Sequence, residues 1–116
     1  MLSSERLAQE METALDDTKA FDIRVLDVRA LTTVTDFMVI ASGRSDRQVK
    51  AMAGHVVERA KALGVRPLGV EGERAGEWVL IDLGDVIVHA MQAHTRDFYQ
   101  LEKLWDVVAQ SRQRVP

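Results

Sequence analysis

The first half of the chain switches between helical and extended spacing of its apolar residues. Leu7, Met11 and Leu15 recur every fourth position, which predicts an amphipathic helix opened by a serine at position 3 or 4. The next stretch, FDIRVLDV, alternates apolar and polar residues, which predicts a strand with one exposed face. The later run FMVIA is apolar throughout, which is typical of a strand covered on both faces.

A second helix has clearer limits in the sequence. Ser45 and Gln48 form a capping box, and apolar residues then recur every three or four positions until Gly64 ends the pattern. The apolar stretch VRPLGV follows, so strand, helix and strand together predict a right-handed crossover between parallel neighbours. Pro67 begins this third strand or places it at the edge of the sheet.

The C-terminal half adds a hairpin and a short helical segment. Two apolar runs flank Gly84 and Asp85, and a glycine at the first turn position suits a type II′ turn. A helical stretch then begins at Thr95 and presents one apolar side from Leu101 onward. The whole pattern predicts a mixed α+β domain with a five-stranded mixed sheet and two long helices. We expect one domain over residues 1–116, with a flexible tail at 109–116.

Composition narrows the functional classes. The chain has 116 residues, a net charge of −3, a pI of about 5.6 and no cysteine. The missing cysteine excludes a disulfide framework, a thiolate metal site and a thiol nucleophile, and an acidic domain is a poor binder of bare nucleic acid. The acidic N-terminal stretch has no apolar run long enough for a signal peptide or a membrane span. We therefore expect a cytoplasmic protein whose partner is another protein or a small molecule.

Three groups of residues could carry chemistry, and a structural interpretation is favoured for each. The loop SGRS, from Ser42 to Ser45, precedes a helix and could hold an anion, but a turn glycine and a capping serine explain it. Asp82 and Asp85 could hold Mg²⁺, but acids often lie in turns and need not point the same way. The three histidines lack the spacing of metal ligands. We therefore predict neither a metal nor a cofactor.

The segment RDFYQLEKLW gathers three of the six aromatic residues of the chain. Its leucines and Trp105 could seal the core. Phe98 and Tyr99 are adjacent, so they point in different directions in any regular element, and one small helix cannot easily bury both. Tyr, Trp and Arg are also the residue types that are enriched in interface hot spots. Composition alone leaves the core and the interface interpretations open for this segment.

Three segments between residues 36 and 105 carry a specific combination of residues. In chain order they read DFMVIASGRSDRQVKAMAGHVVERAKALG, VEGERAGEWVLIDLGDVIVHAM and RDFYQLEKLW. The combination comprises Glu71-Gly72, Trp78, Asp82, Gly84-Asp85, His89, Arg96, Tyr99, Leu101-Glu102 and Leu104-Trp105. With these residues the chain resembles the ribosomal silencing factor family, also called Iojap-like.

The resemblance implies a fold, an activity and a partner. The fold would be related to that of nucleotidyltransferases, but the protein would not be an enzyme. It would bind the large ribosomal subunit through ribosomal protein fourteen, hinder subunit joining and repress translation when nutrients are short. Free family members are expected to form homodimers, and no membrane or sequence-specific nucleic acid is expected as a partner. The resemblance places the partner-binding residues at Trp78, Asp82, His89, Arg96, Tyr99, Glu102 and Trp105.

A nucleotide-binding enzyme or nucleotidyltransferase is the alternative hypothesis. A transferase of that fold carries a Gly-Ser or Gly-Gly loop, followed closely by two acidic residues separated by one other residue. After Gly43 the chain reads RSDRQVKAMAGHVVERA, which holds no such pair. The sequence therefore argues against the alternative, because a shared fold does not imply a shared function.

Overall fold

The computed structural model describes residues 2–103, so Trp105 and the predicted tail at 109–116 lie outside the described residues. Its elements are α1 (Ser4–Asp17), β1 (Phe21–Asp27), β2 (Phe37–Gly43), α2 (Asp46–Ala62), β3 (Gly69–Glu71), β4 (Trp78–Asp82), β5 (Val86–Gln92) and α3 (Ala93–Tyr99). The five strands form one mixed sheet, which confirms the predicted α+β class. The relation to nucleotidyltransferases stays a prediction.

The strands lie in the order β1-β2-β5-β4-β3. β2 and β5 are parallel, with Phe37 opposite Val86, and all other neighbouring pairs are antiparallel. The prediction that α2 joins two parallel neighbours was wrong, because β5 takes the place beside β2 and β3 pairs antiparallel with β4. β3 does lie at the sheet edge, as Pro67 just before it indicated.

One face of the sheet is covered by α1 and α2, which pack against it side by side. Alternate residues of β2, β4 and β5 point to this face and are fully buried, as expected for the period of two in a strand. They form one core cluster with the apolar sides of both helices. Its fully buried members include Met11, Leu15, Val39, Val49, Met52, Val56, Val79, Ile81 and Val88. This cluster is the main core of the domain.

Both long helices begin at capping serines. Ser3 Oγ accepts a hydrogen bond from the Arg6 amide at 3.1 Å, so the first of the two candidate serines caps α1. Ser45 Oγ accepts from the Gln48 amide at 3.1 Å in the same way, as predicted. The return contact differs from a standard capping box, because Gln48 Oε1 accepts from the Arg44 amide at 2.6 Å, one residue before the cap.

The turn of the β4–β5 hairpin has the backbone conformation that its glycine indicated. Gly84 has a φ of +84°, which only glycine adopts without strain. The Leu83 amide donates to the Val86 carbonyl at 2.9 Å, which closes the hairpin. Asp82 Oδ1 accepts a hydrogen bond from the Gly84 amide at 2.8 Å, which stabilises the turn.

The C-terminal helical stretch differs from the prediction in its start and its continuity. α3 begins at Ala93 rather than Thr95 and ends at Tyr99. Gln100 adopts the left-handed conformation, with φ of +48° and ψ of +49°, and a new helical turn starts at Leu101. The chain direction therefore changes between Tyr99 and Leu101, and of the predicted apolar side only Leu101 lies within the described residues.

Candidate functional site

The second face of the sheet is not covered by α1 or α2. We call it the open face. It consists of Met38, Ile40, Ser42, Trp78, Leu80, Asp82, Ile87, His89 and Met91. A smaller core cluster built around Val28, Met38, Ile40 and Met91 covers part of it, and Leu101 packs on this cluster from the C-terminal side. Leu80 and Ile87 are only partly buried, so the middle of the open face offers apolar surface.

Trp78, His89 and Tyr99 come together at one end of the open face. The indole Nε1–H of Trp78 donates to His89 Nδ1 at 2.9 Å. The Tyr99 ring lies 5.0 Å from the Trp78 ring at an angle of 51°, which is a favourable aromatic contact. Phe98 packs edge-on against Tyr99 at 5.1 Å. Because Tyr99 is 56% and Phe98 80% exposed, these rings present an apolar surface to solvent.

His89 is the buried member of this group, with 4% of its surface exposed. Burial lowers the pKa of His89 to about 4, because desolvation disfavours the imidazolium. Since Nδ1 accepts the indole hydrogen bond, the neutral ring carries its proton on Nε2. Nε2 itself is buried and has no hydrogen-bond partner among residues 2–103. At neutral pH the ring is thus an uncharged acceptor that fixes the orientation of Trp78.

The buried His89 predicts a loss of stability on mild acidification. Its pKa in the folded state lies below the unfolded value of 6.5, so the unfolded chain binds the proton more tightly. The stabilisation is complete above the unfolded pKa and is lost as the pH falls toward the folded pKa. Between pH 8 and pH 5 the free energy of unfolding should fall by about 2 kcal/mol. Urea unfolding followed by circular dichroism across this interval measures the loss.

His89→Gln should flatten this pH dependence, whereas His94→Gln, a change at an exposed histidine, should leave it in place. The carboxylates of Glu10 and Glu102 have pKa values lowered chiefly by hydrogen bonds from arginine side chains. Their stabilisation is present above the ordinary carboxyl pKa and is lost only at lower pH. If the free energy of unfolding of His89→Gln still fell between pH 7 and pH 5 as it does in the wild type, then groups other than His89 would cause the pH dependence.

Arg96 and Glu102 form a largely buried ion pair beside the open face. Arg96 is 7% exposed, and its Nε and Nη2 each donate to one Glu102 carboxylate oxygen at 2.8 Å. Its Nη1 donates to Ser42 Oγ at 2.9 Å and to the Asp22 carbonyl at 2.5 Å. Arg24 approaches Glu102 at 3.4 Å. The hydrogen bonds from Arg96 hold the pKa of Glu102 below its usual value, so the pair is charged at neutral pH.

Asp82 lies apart from this group. Asp82 is on the open face, but at the far end of β4, where its carboxylate holds the Gly84 turn. Trp105 lies outside the described residues. The structure therefore brings together Trp78, His89 and Tyr99, with the Arg96–Glu102 pair next to them on the same C-terminal segment.

The loop SGRS has structural roles in this fold. A Cβ atom on Gly43 would lie 2.9 Å from both Met52 and Val49, so the glycine lets β2 pack closely on α2. Ser45 caps α2, and Ser42 receives a hydrogen bond from Arg96. These contacts account for the loop without a bound anion and support the structural interpretation.

The backbone of the hairpin turn likewise has partners in the fold. The Asp85 carbonyl accepts hydrogen bonds from the amides of Asp36 and Phe37 at 3.0 and 3.1 Å, which ties the hairpin to the start of β2. In the part of the chain that the structure describes, no three His, Asp or Glu side chains cluster closely enough to hold a metal ion. Over the same residues, no helix has the length and apolarity needed to cross a lipid bilayer.

Sequence reasoning did not single out Leu80, Ile87 or Gln100. The alternation in EWVLID and DVIVHAM places Leu80 and Ile87 on the side of Trp78 and His89, so a signal for these two was present. Gln100 had no such signal, because a left-handed residue other than glycine, asparagine or aspartate has no reliable sequence signature.

The fold and the open face define a class of protein: a small α+β domain that presents an aromatic and apolar surface on the side of its sheet opposite the two long helices. A family model described as ribosomal silencing factor during starvation matches residues 1–116. The chain belongs to this family of ribosomal silencing factors, as the resemblance indicated.

Curated relatives and a solved structure agree with this assignment. Ribosomal silencing factor RsfS of Haemophilus influenzae is 47% identical over 95 residues, which cover 82% of this chain and 92% of the relative. The mouse relative, Mitochondrial assembly of ribosomal large subunit protein 1, is 38% identical over 94 residues, which cover 78% of this chain and 41% of that protein. A crystal structure of a Chromobacterium violaceum protein matches with a TM-score of 0.88 and 43% identity, and covers 90% of this chain and 87% of that chain.

Proposed function

We propose that this protein represses translation in the cytoplasm by binding the large ribosomal subunit through ribosomal protein fourteen and so blocking the joining of the two subunits. The open face is the binding surface, and Trp78 and Tyr99 are its central contacts. The protein acts by occupying a surface, and no chemical step is required. Membership in the silencing factor family supports the regulatory role, and the geometry of the open face supports the binding site.

The observation that carries the proposal is the exposed Tyr99 ring held against Trp78, with the exposed Phe98 ring beside it. Tyr99 and Phe98 are more than half exposed, yet ring contacts and the Trp78–His89 hydrogen bond fix their surroundings. Rigid aromatic side chains bury a large area on binding and lose little conformational freedom in doing so, which is why they are enriched among interface hot spots. A partner that covers the open face would gain most from this cluster.

The charge of the domain is compatible with a ribosomal protein as the partner. The chain carries a net charge of −3, whereas proteins that bind ribosomal RNA are generally basic. Complementary charge speeds encounter and discourages wrong partners. The same negative charge would disfavour direct contact with RNA phosphates, so a protein component of the subunit fits better than its RNA.

The names of the relatives support the choice of subunit. The mouse relative is named for assembly of the ribosomal large subunit, and it shares more than a third of its matched residues with this chain. We extend this association with the large subunit to the present chain as part of the proposal.

The order of addition tests the mechanism. Protein added to separated subunits should sediment with the large one and lower the yield of joined ribosomes. Protein added to ribosomes that have already joined should do much less, because the proposed site is covered. Density-gradient sedimentation of both mixtures, with the protein quantified in each fraction, measures binding and joining together. Equal inhibition in both orders, or no binding to the large subunit, would contradict the mechanism.

Purified ribosomal protein fourteen tests the partner separately. We expect calorimetry to detect a complex between the two proteins in the absence of RNA. If the protein binds large subunits but not isolated protein fourteen, then the block to joining can still hold while the choice of partner is wrong.

A further inference from the structure

We propose that Arg96 and Glu102 are positioning residues that lock the turn at Gln100 and thereby hold Tyr99 against Trp78, without contacting the partner themselves. This proposal rests on the proposed function of the open face. It differs from the direct contact role that the family resemblance implies for the two residues.

The contacts of Arg96 leave its guanidinium little capacity for a partner. All three of its nitrogens donate to groups of the same chain, two to Glu102 and the third to both Ser42 and the Asp22 carbonyl. These acceptors belong to β1, β2 and the segment after α3. Arg96 therefore joins three parts of the chain at one point, and its 7% exposure leaves almost no surface for an outside group.

The ion pair is possible only because the helix breaks between its two members. In a continuous α-helix, residues six apart point about 120° away from each other around the axis, so Arg96 and Glu102 would not meet. At Gln100 the left-handed conformation ends α3, and its amide donates to the Arg96 carbonyl at 2.8 Å. The next turn begins with the Lys103 amide donating to the Gln100 carbonyl at 3.0 Å. This reversal brings Glu102 back onto Arg96.

The left-handed conformation at Gln100 is unfavourable for a residue with a side chain, so other contacts must hold it. Two sets of contacts hold it. On one side Arg96 and Glu102 form an ion pair with two hydrogen bonds. On the other side Leu101 packs on the small cluster of the open face. The pKa of Glu102 is lowered by Arg96, so the ion pair persists at neutral pH. Without the pair, α3 and the following turn lose the link that fixes their relative direction.

Tyr99 is the residue that this turn places. It is the last residue of α3 and directly precedes Gln100, and its ring contacts Trp78 across the open face. A turn that is formed only part of the time would leave Tyr99 in the binding position only part of the time. The apparent affinity for a partner falls in proportion to the populated fraction of the competent state. Arg96 and Glu102 thus act on binding through Tyr99.

The test uses Glu102→Gln, which keeps the shape of the side chain but removes its charge and one acceptor. Asp97→Asn is the matched control, because it removes one negative charge from an exposed side chain of the same segment. Affinity for large subunits and the nuclear Overhauser contact between the Tyr99 and Trp78 rings of the free protein are measured for each. We expect Glu102→Gln to weaken binding about tenfold and to weaken the ring contact, and Asp97→Asn to change neither by more than about twofold.

A rescue variant separates positioning from direct contact. Gly is the residue that best tolerates the left-handed conformation, so Gln100→Gly should stabilise the turn independently of the ion pair. Added to Glu102→Gln, it should restore the ring contact and most of the lost affinity. A lost contact with the partner could not be restored in this way.

Three results would overturn the proposal: weaker binding by Glu102→Gln with an unchanged ring contact, equal losses in Glu102→Gln and Asp97→Asn, or no rescue by Gln100→Gly. If the wild-type protein does not bind large subunits at all, then the proposed function is wrong. In that case the ring contact in the free protein still decides whether the ion pair positions Tyr99, since that measurement needs no partner.

Discussion

Gly72→Ala is expected to destabilise the domain by about 2–6 kcal/mol, a large part of the total stability of a protein of this size. A Cβ atom at this position would lie 2.0 Å from the carbonyl oxygen of Trp78. That oxygen belongs to the backbone of β4, so the clash cannot be relieved by rotating a side chain. The φ of +86° at Gly72 adds strain for any residue with a Cβ. Thermal and urea unfolding of the wild type and of Gly72→Ala measure the loss of stability.

Gly54→Ala is the matched control, and we expect the opposite sign. Gly54 lies in the middle of α2, and a Cβ atom there would meet nothing within 4 Å. Alanine in a helix interior is favoured over glycine by roughly 0.5–1 kcal/mol, so this variant should be slightly more stable than the wild type. If both substitutions had the same small effect, then the close approach of Gly72 to β4 would not exist in solution.

The sequence was most informative where one local rule decides the structure. The unbroken apolar run FMVIA predicted a strand buried on both faces, and every residue of β2 is buried. Ser45 predicted the start of α2 because a side-chain oxygen three residues before a free amide caps it in almost any context. The hairpin at Gly84 was predictable for the same reason, since a positive φ needs glycine.

The order of the strands could not be obtained from such local rules. The strand–helix–strand pattern after residue 37 is typical of a crossover between parallel neighbours, and β3 does run in the same direction as β2. The place beside β2 is nevertheless taken by β5, whose apolar run allows it to be buried on both faces. β3 has only three residues and a partly exposed pattern, so it suits the edge. Choosing whether β3 or β5 lies beside β2 requires comparing the burial of all five strands in each possible sheet order.

For the candidate site, the sequence is limited in a different way. The fold brings together several residues of the family motif, such as Trp78, His89 and Tyr99. The motif cannot separate the residues that face a partner from those that hold them in place. His89 and Arg96 are less than a tenth exposed, whereas Tyr99 is more than half exposed. Tyr99 directly precedes the left-handed turn at Gln100, for which the sequence carries no signal.

Tyr99→Ala is expected to weaken binding to the large subunit by about 2–4 kcal/mol, which corresponds to roughly 30-fold to 1,000-fold in affinity. Tyr99 is 56% exposed, so the ring contributes little to the core, but it lies against Trp78 in the middle of the exposed aromatic cluster. Removing it leaves a cavity in the contact surface and frees Trp78 and Phe98 to move. The block to subunit joining should be lost in parallel. Sedimentation with large subunits at several protein concentrations measures the affinity.

Val34→Ala is the control for this prediction, because Val34 is also an exposed apolar residue, at 75%, in the loop before β2. Val34 comes three residues before Phe37, which pairs with the start of β5, whereas α3 follows the end of β5, so Val34 is on the part of the loop farthest along the sheet from α3. Val34→Ala should therefore bind and block joining like the wild type, and circular dichroism should show all three proteins folded. If Tyr99→Ala is folded and still blocks joining fully, or if Val34→Ala loses as much, then the contact surface is not at the Trp78 end of the open face. The surface would then have to be sought among Leu80, Ile87 and the hairpin turn, where the same face continues toward Asp82.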